Sequence, residues 1–150
     1  MTILLPIIIA MTGVGYAIYR TKEIPESVSS IAYIMPHWAF SVWIALTGLS
    51  TLPFILEALP SGWQWVGFLC VVGLLIVASS SYYKTEKKTL HWIGGILCAV
   101  CALIVVAIVR PWLLLLWIPF FIALMKWPND QWFFWVECAV FLQIWMSLIN

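Results

Sequence analysis

Two titratable side chains lie inside apolar stretches typical of membrane-spanning helices, and they are the first candidates for chemistry. His91 stands at the start of LHWIGGILCAV, and Glu137 lies within WFFWVECAVFLQIW. Polar groups are costly in the hydrocarbon and mark functional sites by default. A carboxylate there needs a proton or a bonding partner, because desolvation disfavours its charged form. The structural alternative is a hydrogen bond from each residue to a neighbouring helix.

A polar loop, TKEIPESVSSIAYIMPHW, follows the first apolar stretch and adds further candidates. It supplies a carboxylate and three hydroxyls that could join His91 and Glu137 in one cluster: Glu26, Ser27, Ser29 and Ser30. Ser27 could act as a nucleophile only with a base, and only His91 or His37 could serve. The structural alternative is a helical turn that starts near Pro25 and is capped by serines.

The cysteines predict packing residues, without a metal or a cofactor. All four lie inside apolar runs, and Cys98 and Cys101 stand three residues apart. On a continuous helix in lipid, such a pair serves as two small packing residues. Zinc requires three or four ligands, and the chain has only two histidines. We therefore expect neither a metal site nor a cofactor.

Composition assigns the chain to the membrane proteins. Of its 150 residues, 65% are hydrophobic and 9% are charged, and the mean hydropathy is +1.07. Soluble domains carry roughly 25% charged residues, so this chain has too few charges to cover a water-facing surface. The net charge of +1 gives no support for nucleic-acid binding.

Hydropathy predicts a single all-α domain, a polytopic bundle of six transmembrane helices. A spanning helix needs about 20 apolar residues. Six runs meet or approach that length, at about 2–19, 37–57, 63–82, 90–109, 111–126 and 131–149. Arg110 and Pro111 separate the fourth and fifth runs, because proline disfavours helix at the preceding residue. We expect a tight antiparallel hairpin there.

The basic residues predict an orientation in the membrane. Lysine and arginine concentrate in the loops after the first, third and fifth helices: Arg20, Lys22, Lys84, Lys87, Lys88 and Lys126. Cytoplasmic loops are enriched in these residues. The prediction is a multi-pass protein of the plasma (inner) membrane with both termini outside. His91, Glu137 and the first loop would then meet at the cytoplasmic face.

Small residues on the fourth predicted helix indicate a packing face. His91, Gly95, Cys98 and Ala102 recur at helical spacing, and small residues let membrane helices approach closely. We expect this stripe to face another helix, and we expect leucine at Gly95 to overpack it.

The order of these features resembles the Frag/DRAM/Sfk type of six-helix membrane protein. The shared features are a proline and serines in the first loop, a histidine starting the fourth helix, and a glutamate in the last helix. The matching positions are Pro25, Ser27, Ser29, His91 and Glu137. The small size and high tryptophan content are also similar to small bacterial or phage-encoded membrane proteins. The family resemblance implies a role in lipid organisation or membrane trafficking.

Three functions remain open from the sequence. The leading interpretation is a non-enzymatic membrane protein that binds or organises lipid or a membrane partner through its one-sided polar cluster. That partner would be a membrane lipid, a second copy of the chain or another membrane protein. One alternative is a small transporter or channel in which Glu137 lines a hydrated path. The other is an intramembrane hydrolase that uses Ser27 and His91.

Overall fold

The chain is a bundle of α-helices. The computed structural model describes residues 3–80, 88–126 and 130–149. Over these residues there are six α-helices and no β-strand, which confirms the predicted all-α class. The helices are α1 Leu4–Thr21, α2 His37–Ala58, α3 Gln64–Ser80, α4 Lys88–Val109, α5 Trp117–Lys126 and α6 Trp132–Leu148. Some predicted features lie outside the described residues. They are the span ends at residues 2 and 81–82, together with Lys84 and Lys87.

Two short 3₁₀ segments complete the described architecture. The loop-one turn, Ser29–Tyr33, lies between α1 and α2. The Pro111 turn, Pro111–Leu116, lies between α4 and α5. Both interrupt the α-helices where the sequence contains proline or a serine cluster, residues that favour turns over helix interiors.

Three helices are long and apolar enough to cross a membrane, judged by length and composition. They are Leu4–Thr21, His37–Ala58 and Thr89–Val109. The other apolar segments are shorter: Gln64–Ser80, Pro111–Lys126 and Trp132–Leu148. Large apolar side chains on the outside of the bundle, such as Ile96 and Leu142, are more than half exposed. This arrangement fits lipid as the surrounding solvent.

Contacts near the helix ends give the direction of α2, α3 and α4. The Ser41 hydroxyl, near the start of α2, donates to the Ala78 carbonyl near the end of α3 at 2.7 Å. The Ser80 hydroxyl, at the end of α3, lies 3.0 Å from His91 Nδ1, near the start of α4. Each neighbouring pair is therefore antiparallel.

Helices α4 and α6 run in the same direction. The rings of Trp92 and Phe133, near the two helix starts, have centroids 5.7 Å apart. At the other end, the Arg110 guanidinium donates to the carbonyls of Met146, in the last turn of α6, and Ile149, which follows α6. Because both ends correspond, α6 begins at the end of the bundle opposite Arg110.

The break at Arg110 is confirmed, but the expected hairpin takes another form. Helix α4 ends at Val109, and Arg110 has φ −147° and ψ 74°, outside the helical region. Six residues of 3₁₀ turn then precede α5, which has no buried residue. The main partners of α4 are α3 and α6, and α5 packs chiefly against the Pro111 turn. In place of the expected pair of α-helices, the Pro111 turn packs on α4, and the shorter α5 follows it.

Helices α3 and α4 approach closely where Gly73 meets Gly94, and we call this contact the glycine seam. A Cβ on Gly73 would lie 2.6 Å from the Cys98 nitrogen and 2.7 Å from the Gly94 oxygen. At Gly95 a Cβ would meet nothing within 4 Å. The prediction that Gly95 packs against a helix is therefore wrong by one residue. Cys98 and Ala102, from the same predicted stripe, are buried.

Candidate functional site

Glu137 binds the first loop from within α6. Its Oε2 accepts a hydrogen bond from the Val28 backbone N–H at 2.5 Å. Ser29 adds its backbone N–H and its hydroxyl to the same carboxylate. Val28 and Ser29 begin the loop-one turn, whose first N–H groups have no partner within the turn itself. Glu137 therefore satisfies these donors, and the donors replace the water that its carboxylate loses.

The serines of the first loop fold the segment that presents those donors. The Ser30 N–H donates to Ser27 Oγ at 2.9 Å, and the Ser30 hydroxyl donates to the Ser27 carbonyl at 2.7 Å. Ser27 Oγ lies 3.0 Å from Ser29 Oγ. These bonds are the capping role that the sequence offered as the structural alternative for the serines.

A second bond joins the first loop to α6 beside Glu137. The Glu26 carbonyl accepts from the Phe134 N–H at 3.1 Å, and this satisfies one free donor at the start of α6. The Glu26 residue is exposed. Glu26 thus contributes its backbone carbonyl oxygen to the contact. It was predicted as a site residue because of its side-chain carboxylate.

Buried apolar residues hold the loop-one turn against the bundle. Ile31 is fully buried, and Val28 and Ala32 are each 6% exposed. Together with the bonds to α6, they close this end of the bundle. We call the first loop, the start of α6 and the Ser80–His91 pair the polar end.

His91 belongs to a neighbouring contact within the polar end. Its Nδ1 lies 3.0 Å from the hydroxyl of Ser80, which also donates to the Val77 carbonyl at 2.7 Å. Because the Ser80 hydroxyl proton is donated to the Val77 carbonyl, the Ser80 oxygen can accept a hydrogen bond from the imidazole N–H of His91. His91 thus bonds to α3, while Ser27 bonds to Ser29 and Ser30. The structure brings Glu137 together with the loop serines and pairs His91 separately.

Exposed charges surround the first loop. Arg20, Lys22, Glu23 and Glu26 are exposed, and Lys22 Nζ lies 4.3 Å from the centroid of the Tyr19 ring. Lys22 also ends α1 in the left-handed conformation, with φ 61°. Its ammonium is therefore held beside an aromatic ring at the edge of the polar end.

A second polar group, at the opposite end of α6, was not predicted from the sequence. Trp117 Nε1 donates to Gln143 Oε1 at 2.8 Å, and Gln143 Nε2 donates to the Leu113 carbonyl at 2.9 Å. Gln143 is 5% exposed. A polar side chain deep in an apolar run was the available signal. These bonds attach the Pro111 turn and α5 to α6.

The cysteines are free thiols. Cys70, Cys98 and Cys101 are buried, and Cys138 is partly buried. Within the described residues, no group of three or more His, Cys, Asp or Glu side chains could hold a metal ion.

No protein-family model, no curated protein and no solved structure matches the chain.

Proposed function

We propose that the chain is a non-enzymatic, multi-pass protein of the plasma (inner) membrane that binds anionic lipid headgroups at its polar end. The observation that carries the proposal is the bonding of the first loop to α6 by Glu137. This bonding holds the segment that follows Arg20 and Lys22 against the start of α6. The Frag/DRAM/Sfk resemblance, which implies lipid organisation, points in the same direction.

The parallel packing of α4 and α6 supports six crossings. The chain leaves α4 at Arg110 and must reach the start of α6, at the opposite end. The six-residue Pro111 turn spans about 12 Å at 2.0 Å per residue, and the ten-residue α5 spans about 15 Å. Together they approach the roughly 30 Å of the hydrocarbon core. The segment therefore suits a crossing better than a turn that stays at one surface.

The basic residues support a cytoplasmic polar end. All lysines and arginines except Arg110 fall at the end of α1, between the end of α3 and the first residue of α4, or at the end of α5. With six crossings, these three positions share one membrane face, and both termini lie outside. Anionic lipids give the cytoplasmic leaflet a negative surface potential, worth about 1 kcal/mol for each nearby lysine or arginine.

The bonding pattern favours this role over the two alternatives. Glu137 is occupied by backbone donors, whereas a channel would need its carboxylate to line a hydrated path. A hydrolase would need a base on Ser27, but His91 bonds to Ser80. In both cases the candidate group already has a partner that stabilises the fold.

Lipid retention tests the proposal directly. The full chain, reconstituted in mixed anionic and zwitterionic lipid and released into detergent, is analysed by native mass spectrometry. We expect the anionic lipid to be enriched, and we expect the double variant Arg20→Gln, Lys22→Gln to lower that enrichment. The expected loss is roughly fivefold per charge, which corresponds to about 1 kcal/mol.

The matched control is Glu57→Gln, an exposed charge change at the other end of α2. This variant should retain the wild-type lipid. Equal enrichment in wild type and the double variant would contradict anionic-headgroup binding. Loss of an accompanying protein with unchanged lipid would assign the polar end to a protein partner instead.

A further inference from the structure

Two buried thiols face each other at the middle of the α3–α4 pair. Cys70 is 4% exposed and Cys98 is 8% exposed, and their sulfur atoms lie 3.9 Å apart. Cys70 Sγ also lies 3.6 Å from the Cys98 carbonyl oxygen. The glycine seam produces this approach, because Gly73 contacts the Cys98 backbone directly.

Cys70 and Cys98 also line a small cavity in the bundle. Its volume is about 20 Å³, and its lining includes Cys70, Cys98, Thr51 and Ala102. A space of this size holds about one water molecule or one ion. The two cysteines therefore border free space.

From this geometry, we propose that Cys70 and Cys98 form a two-coordinate site for a soft divalent metal ion of the mercuric type. Thiolates select soft metals. Each S–H bond breaks, each sulfur forms one bond to the metal, and two protons leave to water. With mercuric chloride, two chlorides leave with those protons, and no atom changes oxidation state.

Charge favours a divalent ion at this position. Two thiolates and one divalent ion form a neutral unit, whereas a monovalent ion such as Cu(I) leaves one negative charge in an apolar interior. An uncompensated charge there is very costly. Zinc also gives a neutral unit, but it needs three or four ligands, and the described part of the chain offers no such set.

Distance favours the metal-bridged form over a disulfide. Metal–sulfur bonds are about 2.3 Å in zinc sites, so two such bonds in line separate the sulfurs by about 4.6 Å. A disulfide needs about 2.05 Å. The observed 3.9 Å is closer to the first value. Moreover, the backbones at Gly73 leave little room for the helices to approach further.

Mercuric chloride is the probe for this site. The full chain in detergent is mixed with one equivalent, dialysed against excess monothiol and analysed for bound metal. We expect one retained ion per chain in the wild type. Cys70→Ser and Cys98→Ser should each weaken retention by on the order of 100-fold or more, because a single thiol loses the gain of two-point attachment. Cys101→Ser and Cys138→Ser are the matched controls and should retain the metal.

Alkylation mapping of the wild type keeps the test decisive if a serine variant fails to fold. Cys70 and Cys98 should be the thiols that the bound metal protects from maleimide after mild denaturation. Protection of another pair, retention in Cys70→Ser equal to wild type, or equally firm zinc retention would each overturn the proposal. None of these outcomes depends on lipid binding at the polar end.

Discussion

The glycine seam and the polar end hold helices together by opposite means. At the seam, Gly73 and Gly94 remove side chains so that two backbones touch. At the polar end, Glu137 adds a long side chain that reaches the backbone of another segment. The glycine seam depends on the absence of side-chain atoms and should not tolerate a larger residue. The second depends on hydrogen bonds and should tolerate a substitute that can still accept them.

The largest difference between the two regions should appear when bulk is added to a glycine. Gly73→Leu should destabilise the bundle by about 3 kcal/mol or more, because the new side chain meets backbone atoms that cannot rotate away. Gly95→Leu is the matched control, since a Cβ there meets nothing within 4 Å. Thermal unfolding of both variants in detergent measures the contrast. Equal melting temperatures for the two variants would show that the glycine seam does not stabilise the bundle.

At the polar end, removing the carboxylate should cost less than filling the seam. Glu137→Ala leaves the N–H groups of Val28 and Ser29 without their acceptor, which costs about 1–3 kcal/mol. Glu137→Gln should cost less, because an amide oxygen can still accept a hydrogen bond. The same unfolding measurement applies, with Glu26→Gln as a control because Glu26 is exposed and contributes its backbone carbonyl. A glutamine variant as unstable as the alanine variant would show that charge, rather than bonding capacity, holds the loop.

The smallest effect is expected at the Ser80–His91 contact. Ser79 and Ser80 both donate to the carbonyl three residues earlier, but Ser80 also meets His91. Ser80→Ala should therefore destabilise the protein by about 0.5–1.5 kcal/mol, and Ser79→Ala should have less effect. If Ser79→Ala were the more damaging change, His91 would have no part in holding α3 to α4.

Hydropathy predicted where the helices lie, because apolar length is a property of the sequence alone. Of the six predicted spans, three are long and apolar enough to cross a membrane within the described residues. The break at Arg110 also followed from one residue type, the proline after it. The position of the glycine seam could not be predicted in this way, because Gly94 and Gly95 both fit the helical spacing of the predicted stripe. Which of them faces α3 depends on the rotation of α4, and that rotation is set by Gly73 on the partner helix.

The candidate site was predictable in its residues more than in its bonds. Glu137 and the loop serines were selected because polar groups stand out in an apolar chain. Their actual link passes through backbone N–H groups of Val28 and Ser29, which every residue except proline carries, so no sequence signal marks them. Gln143 was a polar residue of the same kind in the same helix, and its burial could have been anticipated by the same reasoning.

Amide hydrogen exchange at Val28 and Ser29 tests the central claim, that Glu137 holds the first loop on α6. In the wild type both amides should be protected. In Glu137→Ala they should exchange on the order of 10 to 100 times faster, which corresponds to about 1–3 kcal/mol. The Ile34 amide, which donates to the Ile31 carbonyl at 2.9 Å within the same turn, should remain closer to its wild-type rate. Identical exchange of Val28 and Ser29 in both proteins would contradict the claim.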